Sequence, residues 1–352
     1  MQNDPQLLEM MLQDQSKQKG LYNHAFIWKK YSSRVERAIR SEGLQDFRAK
    51  RLIGKGFADV LLINPYDLFE VVSWKVKAYK RIVGFPMFKR YVAGPYIKLS
   101  EFNFKQAQKY KDLYYTNTLG NWFSLFSKQY SLPETLVGNP QDTISINNYK
   151  VARAYLTSFI RVYNFSKKID FSKIESVFEI GGGFGSTCHT LLHLFPNIRK
   201  YCYIEIPPFL YVGTQYLKHF YKDEVIDYRQ SRKLSSIRFS ENDTREIIAA
   251  CPWQIGKIDA GIDLVYSSAS FNVMSKDMVA NYAKHTKRML NDKESSVCLH
   301  LGSFLDNEGT TVKKLDSKVV LEIFTNNGFV EFEKLEPELV TSKPHYFVGY
   351  KK

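Results

Sequence analysis

A short apolar segment that runs directly into a cluster of glycines is the feature that most constrains the fold of this chain. Residues Ser176–Ile180 have the composition of a buried strand, the next three residues are all glycine, and Thr187–Phe195 has the apolar spacing of a helix. Glycines at such a turn let the backbone bend sharply and approach a ligand without an intervening Cβ, while free amides at the helix start face that ligand. The sequence therefore predicts a strand, a tight turn and a helix N-terminus that bind a nucleotide-like group.

Two types of ligand are candidates for this turn. A dinucleotide site requires Gly-x-Gly-x-x-Gly, but counted from Gly181 and Gly183 the last position is Ser186. The pattern present is instead Glu-x-Gly-x-Gly-x-Gly, which resembles the first motif of the class I S-adenosylmethionine-dependent methyltransferases. That resemblance implies that the turn wraps the amino-acid half of the cofactor. The residues it assigns to cofactor binding are Glu179, Gly181, Gly182, Gly183, Phe184 and Gly185.

An acidic residue at the end of the next predicted strand supports the same cofactor. Glu205 follows the strand Lys200–Ile204 and lies 20 residues after Gly185. A carboxylate at that position can accept hydrogen bonds from both ribose hydroxyls of a nucleoside. We therefore expect Glu205 and its neighbour Ile206 to bind S-adenosylmethionine and the product S-adenosylhomocysteine.

From about residue 166 onward, short apolar segments alternate with amphipathic ones, which is typical of α/β architecture. We expect an α/β, Rossmann-like class I methyltransferase sheet of seven strands, its last hairpin antiparallel, preceded by a mostly helical N-terminal domain. The predicted domains are an acceptor-binding cap at 1–165 and a methyltransferase domain at 166–352. The predicted strands are Ser176–Ile180, Lys200–Ile204, Ser236–Phe239, Gly261–Tyr266, Ser296–Leu301, Phe329–Glu333 and Tyr346–Tyr350.

The first 165 residues have a different pattern. Apolar residues recur at helical spacing from about residue 6 to 52, and glycines and prolines interrupt the pattern between about 53 and 135. A turn is predicted at Val137–Pro140, and Asn147–Phe165 has the apolar spacing of a helix that leads into the second domain.

The charge of the chain is concentrated in its N-terminal part. The net charge is +14, and residues 1–150 carry 23 Lys and Arg against 13 Asp and Glu. Such a field attracts anionic partners, whether nucleic acid, lipid headgroups or an acidic glycan. Rings and cations alternate between Trp74 and Tyr91, which suits a sugar acceptor and also single-stranded nucleic acid. No RNA-binding signature accompanies them, so nucleic acid is the disfavoured partner, and peripheral membrane contact through this region is a hypothesis.

Two classes of protein are disfavoured by the sequence. No apolar run approaches the roughly 20 residues that a membrane-spanning helix needs, and the start lacks the pattern of a signal peptide. We therefore predict a cytoplasmic location, extending to the inner face of the membrane if the acceptor is lipid-linked. The four cysteines, Cys188, Cys202, Cys251 and Cys298, are widely separated, which argues against a zinc cluster and a disulfide framework.

Beyond the general fold, the chain resembles the sugar O-methyltransferases of bacterial surface-polysaccharide gene clusters. The resemblance implies methyl transfer to a sugar hydroxyl of a surface glycan or its precursor, with Asn139, Asn148 and Tyr149 in contact with the acceptor. The segments that carry it are Asp46-Phe47-Arg48, Gly138-Asn139-Pro140, Asn147-Asn148-Tyr149, Phe178–Gly185, Ile204–Pro208 with Tyr216-Leu217, and Asp263–Tyr266 followed by Ser270–Met274. Asn272 and Val273 depart from the two polar residues that this family favours between Ser-Phe and Met, so one candidate carboxylate is missing.

Methyl transfer needs an aligned acceptor and a group that accepts the hydroxyl proton. His300, near the end of a predicted strand, is the candidate base, because an imidazole titrates near cytoplasmic pH. Asn272, Ser268 and Ser270 follow the strand Gly261–Tyr266, and we expect Asn272 to act in catalysis, Ser268 to bind the cofactor and Ser270 to bind the acceptor.

No metal site is indicated by the sequence. His189 and His193 have the spacing of a zinc pair, but the surrounding residues indicate packing. Asp243 and Asp306 could contribute to a divalent-metal site, although nothing in their spacing requires one. Methylation of RNA or of a small natural product, a non-catalytic cofactor-binding subunit and a homo-oligomer all stay open.

Overall fold

The computed structural model describes residues 1–22, 26–49, 109, 112–140, 142–291, 295–302, 315–330, 332–339 and 344–352. The chain forms two compact units, one of Met1–Asp59, Leu132–Gln141 and Ala154–Lys352, and one of Val60–Ser131 and Asp142–Arg153. The predicted boundary at residue 165 stays a prediction. The aromatic and basic stretch from Trp74 to Tyr91 lies outside the described residues, as does Asp306.

The described secondary structure is as follows. The helices are α1 (Pro5–Ser16), α2 (Phe26–Glu42), α3 (112–129), α4 (Arg153–Phe165), α5 (Ser186–Leu194), α6 (Pro207–Tyr221), α7 (Tyr228–Ser231), α8 (Lys276–Met289) and α9 (Ser317–Asn326). The strands are β1 (Thr143–Ile146), β2 (Tyr149–Ala152), β3 (Ser176–Ile180), β4 (Lys200–Ile204), β5 (Val225–Ile226), β6 (Glu246–Ala250), β7 (Leu264–Ser268), β8 (Ser296–Gly302), β9 (Glu333–Leu335) and β10 (Pro344–Tyr350). Short 3₁₀ turns include Gly20–Tyr22 and Phe271–Val273.

The larger unit is built on one sheet with the strand order β5-β6-β4-β3-β7-β8-β10-β9. Neighbouring strands are parallel from β5 to β8, whereas β10 runs antiparallel to both β8 and β9. The predicted α/β, Rossmann-like sheet with an antiparallel last hairpin is thereby confirmed. The strand number differs from the prediction, because the described residues form eight strands of this sheet and not seven, and the reversed strand β10 lies one position in from the edge.

The two central strands have the bounds that their sequence predicts. All five residues of β3 are buried, and Phe178 is the register partner of Cys202 on β4 and of Val265 on β7. A parallel strand that is covered on both faces is mostly apolar, which is why these two short segments are recognisable in the sequence.

The predicted strand Ser236–Phe239 is wrong. Its Ile237 makes one isolated bridge to Ile258, and the strand that pairs with β4 is β6, Glu246–Ala250. The alternation of Ile237 and Phe239 is typical of a strand, whereas Ala249 and Ala250 favour helices. The sequence of β6 therefore does not indicate the strand that the structure contains. The short β5 was also not predicted.

The smaller unit contains a hairpin where the sequence predicts helix. β1 pairs antiparallel with β2, and the two residues between them are Asn147 and Asn148, with φ of 48° and 70°. Asparagine tolerates positive φ better than most residues, and two such residues in succession form the tight turn of a hairpin. The predicted helix from Asn147 is therefore wrong for its first six residues, and α4 begins at Arg153.

The topology creates a binding position at the carboxyl edge of the sheet. The chain leaves β3 toward β4 on one side, and β7 lies on the other side, so the loops after β3, β4 and β7 diverge at this point. Ligands of open α/β sheets bind at such a switch point. None of the helices in the described part of the chain combines the length and apolarity that a membrane crossing requires.

Candidate cofactor site

The glycine turn is shaped by its contact with the loop after β7. Gly181 has a φ of 80°, and its amide donates a hydrogen bond of 2.9 Å to the carbonyl oxygen of Ile204. A Cβ at Gly181 would lie only 1.9 Å from Ser270 Oγ, so no side chain fits between the turn and that loop. Gly185, with a φ of 87°, precedes α5 and provides no side-chain cap, which leaves the first amides of α5 free for a ligand.

Glu205 lies at the end of β4 and lines a cavity that the glycine turn also lines. Its two carboxylate oxygens accept hydrogen bonds from the backbone amides of Ile206 at 2.8 Å and of Gly183 at 2.9 Å. Burial raises the pKa of Glu205 to about 7, against the lowering effect of these two hydrogen bonds. The carboxylate is thus held in a fixed orientation at the cavity wall.

A second carboxylate, Glu179, lines the same cavity from near the end of β3. Its side chain is only 2% exposed, and Tyr201 donates a hydrogen bond of 2.9 Å to its Oε2. Burial raises the pKa of Glu179 to about 7, although the hydrogen bonds from Tyr201 and Thr187 and the charge of Arg161 act in the opposite direction. The cavity therefore has two acidic groups that titrate near neutral pH.

We expect Glu179→Gln to gain stability relative to the wild type as the pH rises. Because the pKa of Glu179 is about 7 in the folded chain and near 4.5 in an unfolded one, the folded state retains a proton that the unfolded state has lost. Wild-type stability should fall as the pH rises from about 4.5 through 7, whereas glutamine cannot ionise. The difference in unfolding free energy should grow by at most about 3 kcal/mol between pH 5 and pH 8.

Urea unfolding of both proteins at pH 5 and pH 8 measures this difference, with Glu175→Gln as the control. Glu175 is an exposed carboxyl just before β3, at the opposite edge of the sheet. A difference between Glu179→Gln and wild type that is the same at both pH values would show that Glu179 is not a buried titrating group.

The third wall of the cavity is the loop after β7, formed by Ser268, Ala269 and Ser270. Ala269 has a φ of 58°, a region that residues with a Cβ seldom occupy, and its amide donates a 2.8 Å hydrogen bond to the His300 carbonyl oxygen. Backbone strain of this kind persists where the surrounding structure enforces it, often beside a ligand. Ser270 Oγ donates to the Ser268 carbonyl oxygen at 3.2 Å.

The two residues predicted to act in catalysis lie behind this wall. His300 is buried, and its Nδ1 is 3.0 Å from Ser268 Oγ. Burial first, and then the charge of Arg161, hold the pKa of His300 well below its ordinary value, so the ring is neutral. Asn272 is also buried and donates from Nδ2 to the Leu315 carbonyl oxygen at 3.0 Å, which ties the Phe271–Val273 turn to the segment before α9. Neither side chain belongs to the cavity wall.

The remaining sequence candidates fall into two groups. Those at the cavity wall are Glu179, Gly181, Gly182, Gly183, Phe184, Glu205, Ile206, Ser268 and Ser270. Asn139 is exposed, has a φ of 53° and belongs to the turn at 137–140 of the larger unit. Asn148 and Tyr149 lie at the hairpin of the smaller unit, where Tyr149 is 52% exposed and its ring centre is 5.8 Å from that of Phe123. Their contact with an acceptor stays a prediction.

Sequence reasoning missed several residues of the cavity wall. Arg161 and Ala154 reach it from α4, Tyr282 from α8, and Leu21 and Tyr22 from the first 3₁₀ turn. Arg161 had a detectable signal, because it is the one charged residue in the interior of an otherwise apolar helix and lies seven positions after Ala154, on the same helix face. Tyr22 had none, since its place depends on a long-range hydrogen bond from Asn281 of 3.2 Å.

No group of three or more potential metal-ligating side chains comes together among the described residues. His189 is buried and stacks on Phe220 with ring centres 3.9 Å apart, and burial lowers its pKa to about 3. Asp243 is almost fully exposed and pairs with Arg199. These side chains have structural contacts that account for them.

The chain is distantly similar in fold to solved protein structures. No protein-family profile and no curated protein sequence matches it. Among the solved structures that do match, the mitomycin 7-O-methyltransferase MmcR is 17% identical over 57% of this chain and 55% of its own, with a TM-score of 0.40. Human N-acetylserotonin methyltransferase in complex with S-adenosylmethionine is 12% identical over 56% of this chain and 54% of its own, with a TM-score of 0.39. PigF with S-adenosylhomocysteine is 14% identical over 56% of both chains, with a TM-score of 0.41. The chain spans little more than half the length of these proteins.

Proposed function

We propose that the chain is an S-adenosylmethionine-dependent O-methyltransferase. The observation that carries this proposal is the pair of carboxylates, Glu179 and Glu205, in one cavity with the glycine turn. Two acidic groups in a partly desolvated cavity favour a cationic ligand and repel an anionic one. S-adenosylmethionine carries a sulfonium and an ammonium group, whereas a dinucleotide would bring a pyrophosphate next to both carboxylates.

The residues present fit the cofactor. The orientation of Glu205 leaves its carboxylate at the cavity wall, where it can accept hydrogen bonds from ribose hydroxyls. The turn packs closely on two residues behind it, because a Cβ at Gly182 would come within 2.8 Å of Tyr203 and 3.1 Å of Glu179. A glycine is therefore needed where the backbone approaches both residues, and it leaves the cavity side of the turn open to the amino-acid portion of the cofactor.

The chemistry then depends on alignment and on the removal of a proton. Bound S-adenosylmethionine supplies an electrophilic methyl group, and the protein must hold an acceptor oxygen in line with it and exclude water. Ser268 and Ser270 lie at the wall where such an oxygen can be held by hydrogen bonds. His300 supports Ser268 from behind, which makes it a positioning residue in this proposal, while its role as a base in contact with the acceptor stays a prediction.

The acceptor is proposed to be a sugar hydroxyl of a glycan or its precursor, and this rests on the resemblance of the sequence segments around Asn139, Asn148 and the loop after β7. The alternatives are a small natural product, an RNA, and a cofactor-binding subunit without activity. A cytoplasmic location and membrane contact through the basic N-terminal region are part of the same hypothesis.

The first experiment measures ligand binding to the full chain by titration calorimetry. We expect S-adenosylmethionine and S-adenosylhomocysteine to bind and NAD⁺ not to bind, because only the dinucleotide brings a pyrophosphate to the two carboxylates. Binding of NAD⁺ without binding of S-adenosylhomocysteine by folded protein would contradict the proposed function.

A second experiment addresses the acceptor. Formation of S-adenosylhomocysteine is followed with nucleotide sugars, oligosaccharides, phenolic small molecules and RNA as candidates. Turnover with a sugar supports the proposed acceptor, and turnover with another class replaces it. Cofactor binding without turnover on any of them favours the non-catalytic subunit. RNA binding would be recognised by its steep decrease with salt, which a neutral sugar does not share.

A further inference from the structure

Arg161 is a cation at the wall of the cofactor cavity. It lies in α4, two turns after Ala154, and both residues face the cavity because positions seven apart share one side of a helix. Neighbouring residues of α4, such as Phe159, Ile160 and Val162, are buried in the core. Because the neighbouring residues of this helix are buried among apolar side chains, the charge of Arg161 can interact with a ligand only on the side of the cavity.

The buried Nε of Arg161 has no hydrogen-bond partner among the described residues. Arg161 also forms no salt bridge with a carboxylate in the part of the chain that the structure describes. Other partly buried cations of the larger unit do have one: Lys218 pairs with Asp227 at 2.5 Å and Arg232 with Asp14 at 2.8 Å. An unpaired buried donor of a charged group is costly, and a ligand that supplies an acceptor relieves that cost.

The nearby carboxylate does not satisfy Arg161. The charge of Arg161 acts on Glu179, but the hydrogen bonds of Glu179 come from Tyr201 and Thr187. The cavity end beside the glycine turn thus holds a cation with an unpaired buried Nε and a carboxyl group whose orientation is fixed by hydrogen bonds. That pair of charges is complementary to an α-amino acid group, which carries one carboxylate and one ammonium.

The position of Arg161 also separates it from the ribose-binding side. Glu205 ends β4, on one side of β3, whereas the charge of Arg161 acts on His300 of β8 and Tyr266 of β7, on the other side. A nucleoside ligand whose ribose is held by Glu205 extends across the glycine turn toward Arg161. The planar guanidinium fork matches a carboxylate in two parallel hydrogen bonds.

We infer that Arg161 binds the α-carboxylate of the amino-acid portion of the cofactor. This inference rests on the proposed function and adds the residue by which the cavity distinguishes the intact cofactor from a nucleoside that lacks the carboxylate. Arg161 is then a binding residue for the ligand, and it also neutralises the negative charge that Glu179 would otherwise place next to that carboxylate.

The test compares two ligands that differ only in this group, S-adenosylhomocysteine and its decarboxylated analogue, by titration calorimetry of the full chain. Arg161→Met should weaken S-adenosylhomocysteine binding by roughly 10- to 100-fold and leave the analogue within about twofold. Arg161→Lys, which keeps the charge but not the fork, should lie between wild type and Arg161→Met. The control Arg199→Met removes an exposed cation before β4, at the opposite edge of the sheet, and should change neither ligand.

Each outcome decides between the possibilities. Unchanged binding of S-adenosylhomocysteine by Arg161→Met overturns the inference and leaves the proposed function intact. Equal weakening of both ligands also overturns it, because that is the effect of a structural role. If Arg161→Met does not fold, Arg161→Lys carries the same comparison. No binding of either ligand by folded wild type overturns the proposed function, and the inference with it.

Discussion

Glu205→Ala is expected to reduce the affinity for S-adenosylhomocysteine by roughly 100- to 1,000-fold while the chain stays folded. The proposed ligand places two ribose hydroxyls against a carboxylate, and hydrogen bonds to a charged acceptor are about twice as strong as neutral ones. The fold should tolerate the change, because the amides of Gly183 and Ile206, which lose their acceptor, lie at the cavity wall where water can replace it. Calorimetry gives the affinity, and circular dichroism and thermal unfolding report on the fold.

Two further variants make this result specific. Glu205→Gln keeps the shape but not the charge and should retain part of the affinity, whereas Glu175→Ala removes an exposed glutamate at the far edge of the sheet and should retain all of it.

In the wild type, affinity for S-adenosylhomocysteine should rise between pH 6 and pH 8, because hydroxyl donors favour the ionised carboxylate and the pKa of Glu205 is about 7 without ligand. Normal affinity in Glu205→Ala would remove the main support for a nucleoside ligand at this site.

Gly181→Ala is expected to damage both stability and binding. The substitution places a Cβ 1.9 Å from Ser270 Oγ at a φ of 80°. The conformation costs roughly 1–2 kcal/mol for a residue with a Cβ, and the overlap adds roughly 1–3 kcal/mol. The unfolding free energy should therefore fall by a few kcal/mol, and affinity for S-adenosylhomocysteine should be lost because the turn and the loop after β7 are forced apart.

A matched glycine separates the two contributions. Gly43 has a φ of 65°, and no atom lies within 4 Å of the position that a Cβ would take there, so Gly43→Ala measures the cost of the backbone conformation alone. The double variant with Gly181→Ala and Ser270→Gly removes the overlap and should recover part of the lost stability. If Gly181→Ala and Gly43→Ala were equally destabilised and Gly181→Ala still bound ligand, the close contact between turn and loop would be refuted.

The sequence was most informative where local chemistry determines structure. The bounds of β3 and β4 follow from short, mostly apolar segments, and the glycine turn follows from conformations that other residues seldom adopt. Prediction failed where the signal was ambiguous, as for β6 with its alanines and for the hairpin at Asn147, whose apolar spacing also fits a helix.

The candidate site shows the same division. Glu179, the glycines and Glu205 were found because they are adjacent in sequence to the strands that place them. Tyr22 and Tyr282 reach the cavity from distant parts of the chain, and Ala269 occupies a strained conformation that no residue type announces. Such placements depend on tertiary contacts, which a local pattern does not encode.

The position of β10 has a consequence for how the chain folds during its synthesis. β9 pairs only with β10 in the described sheet, and β10 separates it from β8. Although β9 leaves the ribosome first, it cannot join the sheet until β10 has been inserted between the two. A nascent chain that ends before residue 344 therefore leaves one edge of β8 unpaired, and at this stage chaperone binding or mispairing with another chain would be most favoured.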